Sequence, residues 1–114
     1  MTEHFKRAEF ACKCGCGLNN ISPLLVEKLE KARKRAGVKF AITSGCRCAT
    51  HNEKVGGVEE SSHVYGYAVD IALDDRNWIF IIKALETEFD RIGIAKNFIH
   101  VDIDPRKKPA RWRY

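Results

Sequence analysis

The sequence predicts a small single α+β domain, with a central antiparallel sheet flanked by two main helices. Two segments show the 3.6-residue apolar period of helices, and three shorter segments show strand-type alternation. The 114 residues are 45% hydrophobic and 31% charged, which suits one modest core rather than a disordered or fibrous chain. Because no repeat, low-complexity stretch or long linker interrupts the sequence, residues 1–114 are predicted to form one domain.

Residues 1–21 are predicted to form an irregular N-terminal cap that contains three of the five cysteines. An odd number of cysteines and the lack of a hydrophobic export segment argue against a full disulfide framework. The sequence leaves three alternatives open for the thiols: a structural zinc, disulfides between the cap and a later loop, or buried free cysteines. The two groups of cysteines are Cys12, Cys14 and Cys16 in the cap, and Cys46 and Cys48 in the loop.

The first predicted helix begins at Pro23 and ends before Gly37. Ser22 suits the N-cap, and proline suits the first helical position because it has no N–H to leave unbonded. Gly37 suits the residue after the helix, where a left-handed backbone is common. The apolar residues that recur near the helical period are Leu24, Leu25, Leu29 and Ala32.

Three strands are predicted at Val38–Thr43, Ala68–Ala72 and Phe98–Ile103, because apolar and β-branched residues recur there. The segment from Ser44 to Glu60 is predicted to be a loop, since glycine punctuates it at three positions.

A second helix is predicted from about Asn77 to Arg91, capped by Asp74 or Asp75. One face of this second helix is mostly apolar. The tail from Pro105 to Tyr114 contains five of the 20 basic residues together with Trp112, which is expected to pack near the site and anchor the C-terminus.

Polar residues interrupt two of the predicted strands. His100 and Asp102 share one face because strand residues two apart point the same way. Asp70 lies in an apolar strand and needs a cation or donors if it is buried. A turn at Gly66 would bring His63 to the same point, giving the two imidazoles and one carboxylate that often hold catalytic zinc. The alternative is that both histidines are ordinary polar residues and Asp70 caps a turn.

Three motifs occur in an order typical of one enzyme family. Ser61–Asp70 matches the pattern Ser-x-His-x-x-Gly-x-Ala-x-Asp, and Phe98–Asp102 contains a His-x-Asp element. Ile42–Arg47 contains Ser-Gly-x-Arg, followed by Asn52 and Val55–Gly57 as in phage-type members. The chain therefore resembles the zinc D-Ala-D-Ala carboxypeptidase and peptidoglycan endopeptidase family, whose architecture hedgehog-type signalling domains share.

The resemblance implies that His63, Asp70 and His100 are ligands of Zn²⁺. It implies that Arg47 faces the site, where a guanidinium could hold a substrate carboxylate or a carbonyl oxygen as negative charge develops. Ser61 would line the same pocket and orient Asp70 or the substrate.

The motifs identify the catalytic base less directly than the metal ligands. Many members carry an acid three residues before the last histidine, and that position is Asn97 in this sequence. Asp102 is the candidate for the catalytic role. The sequence leaves open that Asp102 instead orients His100 or the substrate, and that the domain binds zinc without efficient turnover.

The formal net charge of +5 suits a polyanionic partner. The resemblance narrows this partner to the bacterial wall, with a peptidoglycan stem peptide or cross-link as substrate. Nucleic acid is not expected because no recognised binding motif is present, and no segment is long and apolar enough for membrane insertion. We expect a monomer made in the cytoplasm without a signal peptide, acting on the wall after holin-type release or virion delivery. A non-catalytic zinc module that binds wall or protein partners is the alternative.

Overall fold

The computed structural model describes residues 1–114 and contains three α-helices and one five-stranded sheet, which confirms the predicted α+β class. None of the helices has the length and apolarity needed to cross a membrane. After a 3-10 helix at Arg7–Phe10, the elements are α1 (Pro23–Ala36), β1 (Ile42–Ser44), α2 (Ala49–Lys54), β2 (Ala68–Ala72), α3 (Trp78–Glu88), β3 (Arg91–Ile94), β4 (Phe98–Asp102) and β5 (Ala110–Arg113).

Helix α1 begins and ends where its sequence signals predict. The Ser22 hydroxyl accepts a hydrogen bond from the Leu25 N–H at 3.4 Å, which satisfies one of the free donors of the first turn. Gly37 has a φ of +69°, a left-handed conformation that glycine adopts without steric cost. The apolar side of the helix packs against α3 and the sheet.

The strands lie in the order β1-β2-β4-β3-β5. Neighbouring strands are antiparallel except β3 and β5, which are parallel, so the sheet is mixed at one edge. In the central pair, Asp70 lies opposite His100 and Ala68 lies opposite Asp102. This register places the polar residues of two strands beside one another.

The two faces of the central strands have different roles. Val69 and Ile71 of β2, and Ile99 and Val101 of β4, join the apolar core that the helices cover. Because successive side chains point to opposite faces, the residues between them are directed away from this core. The face opposite the helices therefore carries the candidate site.

Two predicted elements have other bounds in the structure, and the N-cap of the second predicted helix, α3, is Asn77 rather than Asp74 or Asp75. Helix α3 ends at Glu88 rather than Arg91, because Phe89 is extended and buried and the chain then pairs with β4 as β3. The strand predicted at Val38–Thr43 is reduced to Ile42–Ser44. Its partner β2 ends at Ala72, whose N–H donates to the Ala41 carbonyl at 2.9 Å, so the residues before Ala41 have no strand left to pair with.

The predicted loop and tail both contain regular structure. The segment from Ser44 to Glu60 includes the short helix α2, whose N-cap is Cys48. The basic tail forms β5 along the edge of β3. Neither α2 nor β5 has an apolar period of its own, so tertiary contacts rather than the local sequence pattern determine their secondary structure.

Glu30 of α1 holds the N-terminal segment against the helix through His4, and this contact leads to a prediction about the free energy of unfolding. It is buried and accepts hydrogen bonds from the backbone N–H of His4 at 2.7 Å and from the His4 ring. Burial by itself raises the pKa of Glu30, but these hydrogen bonds outweigh it and lower the pKa to about 2 from 4.5. The contact therefore stabilises the fold above about pH 4.5, and this contribution is lost as the pH falls towards about 2.

We expect Glu30→Gln to lower the free energy of unfolding at pH 7 by about 1.5–3 kcal/mol, the usual value for a hydrogen bond to a charged group. The deficit should disappear near the lower end of that pH window, where the wild-type carboxylate is also protonated. Urea denaturation at several pH values measures it, with the exposed Glu27→Gln as the matched control. A deficit that stays constant with pH would contradict the assignment.

Candidate metal centre

The candidate site is built on β2, β4 and the loop before β2. Asp70 and His100 lie directly opposite each other in the sheet, and His63 reaches them from the loop. Asp70 Oδ1 is 3.0 Å from His100 Nδ1 and 3.3 Å from His63 Nε2. One potential ligand atom from each of the three residues lies within 4.8 Å of the others, and all three side chains are buried.

The hydrogen bonds behind the two rings determine which ring atoms face Asp70 as acceptors. His63 Nδ1 is 2.8 Å from the Gly45 carbonyl oxygen, so this nitrogen must carry the proton and donate. His100 Nε2 is 2.8 Å from Asp102 Oδ2, and a neutral ring that donates there has an unprotonated Nδ1. The lone pairs of His63 and His100 then face the Asp70 carboxylate. Three converging acceptors require a cation, and a metal ion fits this donor set.

The pKa values agree with a site that attracts positive charge. Burial alone raises the pKa of Asp70, but the hydrogen bonds with His100 and His63 outweigh it and hold the pKa well below its usual range. Burial alone lowers the pKa of His100, but hydrogen bonds with Asp102 and Asp70 raise it overall. Both shifts arise because two carboxylates lie against the His100 ring, so the site favours positive charge.

Asp102 is the most buried of the polar residues at the site, with 1% of its surface exposed. Besides His100, it binds Arg91, whose Nε donates to Asp102 Oδ1 at 2.7 Å. The backbone N–H of Asp104 donates to the same oxygen at 3.1 Å. These three donors lock the carboxylate and, through it, the plane of the His100 ring.

Arg47 lies on the other side of Asp70, with Nη2 3.5 Å from Asp70 Oδ2. Its Nε donates to the Ser44 hydroxyl at 3.1 Å and its Nη1 donates to Asn52 Oδ1 at 3.2 Å. Helix α2 supplies Asn52, and Gly57 makes room for it, since a Cβ at Gly57 would lie 2.0 Å from Asn52 Oδ1. The guanidinium is therefore held in place from three directions.

Trp112 of β5 covers the His100 ring, with 5.5 Å between the ring centroids. Gly93 of β3 lies between them in the sheet, paired with His100 on one side and Trp112 on the other. A Cβ at Gly93 would lie 2.4 Å from atoms of the indole, so the absence of a side chain lets the ring lie against the strand. The expectation that Trp112 packs near the site is confirmed.

The site opens into a cleft of about 430 Å³. Ser61 lines it, and the Ser61 hydroxyl accepts the His63 backbone N–H at 3.2 Å, which helps to shape the loop that carries the histidine. Three basic side chains and three aromatic rings also line the cleft: Arg47, Arg91, Lys107, Phe98, Trp112 and Tyr114.

The structure brings together all six residues singled out from the sequence: Arg47, Ser61, His63, Asp70, His100 and Asp102. Asn97, by contrast, is exposed in the turn before β4 and does not line the cleft. Sequence reasoning missed Arg91 and the contact of Asn52 with Arg47. The alternation in Arg91–Ile94 was the available signal for the first, whereas Asn52 carries no comparable local signal.

Two imidazoles and a carboxylate at the base of an open cleft, with an arginine beside them, define the class of mononuclear metal-dependent hydrolases. A family model described as Peptidase M15 matches residues 3–102. The chain therefore belongs to the peptidase M15 family, which confirms the family resemblance and implies a zinc-dependent metallopeptidase. A comparison with curated proteins finds no match.

Proposed function

We propose that the protein is a zinc-dependent peptidase that hydrolyses a peptide bond in bacterial peptidoglycan, as a D-Ala-D-Ala carboxypeptidase or an endopeptidase. The observation that carries the proposal is the convergence of three acceptors from His63, Asp70 and His100 at the base of the cleft. Membership of the peptidase M15 family supports the reaction class.

The residues that would hold zinc are His63, Asp70 and His100. When bound, zinc supplies Lewis acidity towards a substrate carbonyl and an attacking water. The protein fixes the ligand geometry through the Gly45 carbonyl behind one imidazole and Asp102 behind the other.

Asp102 is proposed to act mainly as a positioning residue. Its three donors and its burial favour the orienting alternative left open by the sequence over a carboxylate that exchanges protons with water. The general-base role of Asp102 stays a prediction, and the Asp102→Asn variant distinguishes it from the positioning role.

We assign substrate binding to Arg47 and Ser61. The basic side chains that line the cleft support this assignment. Stem peptides carry free carboxylates, and Arg47 and Lys107 in the cleft lining are cations that complement them, whereas Arg91 is paired with Asp102. The held guanidinium of Arg47 can also stabilise the negative charge that develops on a carbonyl oxygen during hydrolysis.

The biological setting that we propose is a phage or prophage lysin that reaches the wall by holin-type release or virion delivery, acting as a monomer. Support comes from Asn52 and Gly57, which the resemblance shares with phage-type members, and from the contact of both with Arg47.

Digestion of purified peptidoglycan, followed by mass spectrometry of the fragments, tests the function. We expect new peptide termini with wild-type protein and zinc, and none with His63→Ala, which removes one ligand. The position of the new termini identifies the bond. Intact peptidoglycan after incubation with zinc-loaded wild-type protein would contradict the peptidase function.

A non-catalytic zinc module that binds wall or protein partners is the second candidate, and Asn97 is the observation that favours it. The amide cannot act as a general base, and the side chain is exposed away from the cleft. This candidate predicts that zinc-loaded protein sediments with peptidoglycan without releasing fragments.

Arg47→Lys tests the substrate-binding assignment. Lysine keeps the charge but cannot donate to Ser44, Asn52 and a substrate oxygen in one plane, so kcat/KM should fall by about 10–100-fold. Zinc content should not change because Arg47 supplies no ligand. Steady-state cleavage of stem-peptide fragments measures the effect, and Arg35→Lys on the exposed side of α1 is the control. Equal kcat/KM in both variants would remove Arg47 from the substrate site.

A further inference from the structure

Four of the five cysteines meet outside the peptidase cleft, where Cys12 is buried and the other three are at least partly exposed. Cys12 Sγ lies 3.4 Å from Cys14 Sγ, and Cys14 Sγ lies 3.6 Å from Cys48 Sγ. The sulfurs that lie within 4.8 Å of one another are those of Cys12, Cys14, Cys16 and Cys48. We infer that this cysteine cluster is a second, structural metal site for a divalent cation of the zinc class.

The sulfur spacing matches tetrahedral coordination. Four sulfurs at the usual Zn–S distance of about 2.3 Å lie about 3.8 Å from one another at the corners of a tetrahedron. The observed separations of 3.4 and 3.6 Å are close to that value. Small rotations of the side chains therefore suffice to complete the site.

The backbone of the cap explains how cysteines spaced by two can share one ion. Gly15 and Gly17 have φ values of +84° and +88°, a left-handed conformation that turns the chain back after each of two cysteines. The Cys12 N–H donates to the Leu18 carbonyl at 2.9 Å and closes the loop. The tight spacing is thus accommodated by glycine rather than by strain at the cysteines.

Backbone donors also approach two of the sulfurs. The Cys48 N–H donates to Cys12 Sγ at 3.4 Å, and the His51 N–H donates to Cys48 Sγ at 3.3 Å. Such hydrogen bonds stabilise thiolates, the form in which cysteine binds metal. They tie the cap to the first turn of α2.

Burial does not account for the cluster, because Cys14 and Cys16 are exposed and Cys48 is only partly buried. The fifth cysteine is different. Cys46 is 1% exposed within the apolar core, where its thiol lies 3.7 Å from Asn19 Oδ1. The odd cysteine is therefore a core residue, and an even set of four remains in the cluster.

Disulfides explain the arrangement less well than a metal ion. A disulfide joins two sulfurs and gives the other two no reason to converge, whereas a tetrahedral cation needs all four. Cys14 is also within reach of two different sulfurs, those of Cys12 and Cys48, and it could bond to only one of them.

The cysteine cluster is connected to the peptidase site through the loop at residues 45–48. The cap and the loop at residues 45–48 are joined by the Cys46 N–H, which donates to the Phe10 carbonyl at 2.8 Å. The same loop supplies Arg47 and the Gly45 carbonyl that orients His63. A bound ion would fix the Cys48 end of this loop to the cap without touching the substrate.

The test uses the His63→Ala chain, in which the first site lacks a ligand. After purification with reductant and dialysis against zinc-free buffer, it should retain about one zinc per chain and, loaded with Co²⁺, show a thiolate-to-metal charge-transfer absorption. Cys48→Ser in this background should lower retained zinc about tenfold or more, while serine keeps the N-cap of α2. Cys46→Ala is the matched control, since its sulfur lies outside the cluster.

The wild-type background provides a second measurement if the double variant folds poorly. There Cys48→Ser should lower zinc from about two to about one per chain while the first site stays loaded. Reduced, folded His63→Ala protein that retains no metal would overturn the inference. A native mass lower by two hydrogens, with Cys48 linked to another cysteine, would overturn it in favour of a disulfide. Loss of peptidase activity alone bears only on the proposed function, so the two are distinguishable.

Discussion

Replacing Asp70 with asparagine is expected to remove one zinc per chain and to reduce peptide hydrolysis by on the order of 10³-fold or more. Asp70 contributes the only carboxylate among the three proposed ligands, and it lies between the two imidazoles. A neutral amide is a weaker ligand and leaves the two nitrogens to hold the cation alone. Metal analysis and fragment release from peptidoglycan measure the two effects.

The same substitution should not unfold the metal-free protein. In the absence of an ion, the amide N–H₂ of asparagine can donate to the lone pairs of His63 and His100, which the carboxylate cannot do. This donation offsets the loss of the carboxylate's own hydrogen bonds with the two rings, so the thermal midpoint of the metal-free variant should stay close to that of metal-free wild type. The exposed Asp75→Asn, in the turn before α3, is the control and should keep both zinc and activity. Full zinc occupancy in Asp70→Asn would remove the carboxylate from the ligand set.

The ligand residues could be predicted from the sequence because strand geometry makes their relation local. His100 and Asp102 are two apart on one strand, so they share a face whatever the rest of the fold does. Asp70 is conspicuous as a charge in an apolar strand, for which burial demands a partner. The partners of these residues were harder to predict, because Arg91 meets Asp102 only through the register of β3 on β4.

The fold shows the same division between local and long-range information. Helix α1 has its N-cap, its proline and its final glycine in the sequence, and its boundaries follow from them. Strand β5 has four residues, two of them arginines, and becomes a strand only because Trp112 packs against Gly93. The cysteine cluster likewise has visible spacing within the cap, whereas the approach of Cys48 depends on the tertiary path of the loop.

Asp102→Asn is expected to weaken zinc binding by about 10–100-fold, the usual effect of removing the partner behind a metal-binding histidine. The amide oxygen can still accept the His100 N–H, but without a negative charge it makes the ring a less basic ligand. It also leaves Arg91 without its buried counter-charge. The zinc dissociation constant, obtained by competition with a chelator, measures the effect, and added zinc should restore much of the activity.

Asp102→Asn distinguishes the two roles of Asp102, because each role predicts a different combination of zinc affinity and kcat. A positioning residue loses zinc affinity first, so kcat at saturating zinc should stay within about tenfold of wild type. A general base would instead keep zinc affinity and lose about 10²–10⁴-fold in kcat, with the acidic limb of the pH–rate profile altered. Arg91→Lys supplies the matched comparison, because it loosens the same carboxylate while keeping its charge and its contact with His100. Weakened zinc binding in both variants would place Asp102 behind the ligand, whereas unchanged affinity with lost turnover in Asp102→Asn alone would make it the base.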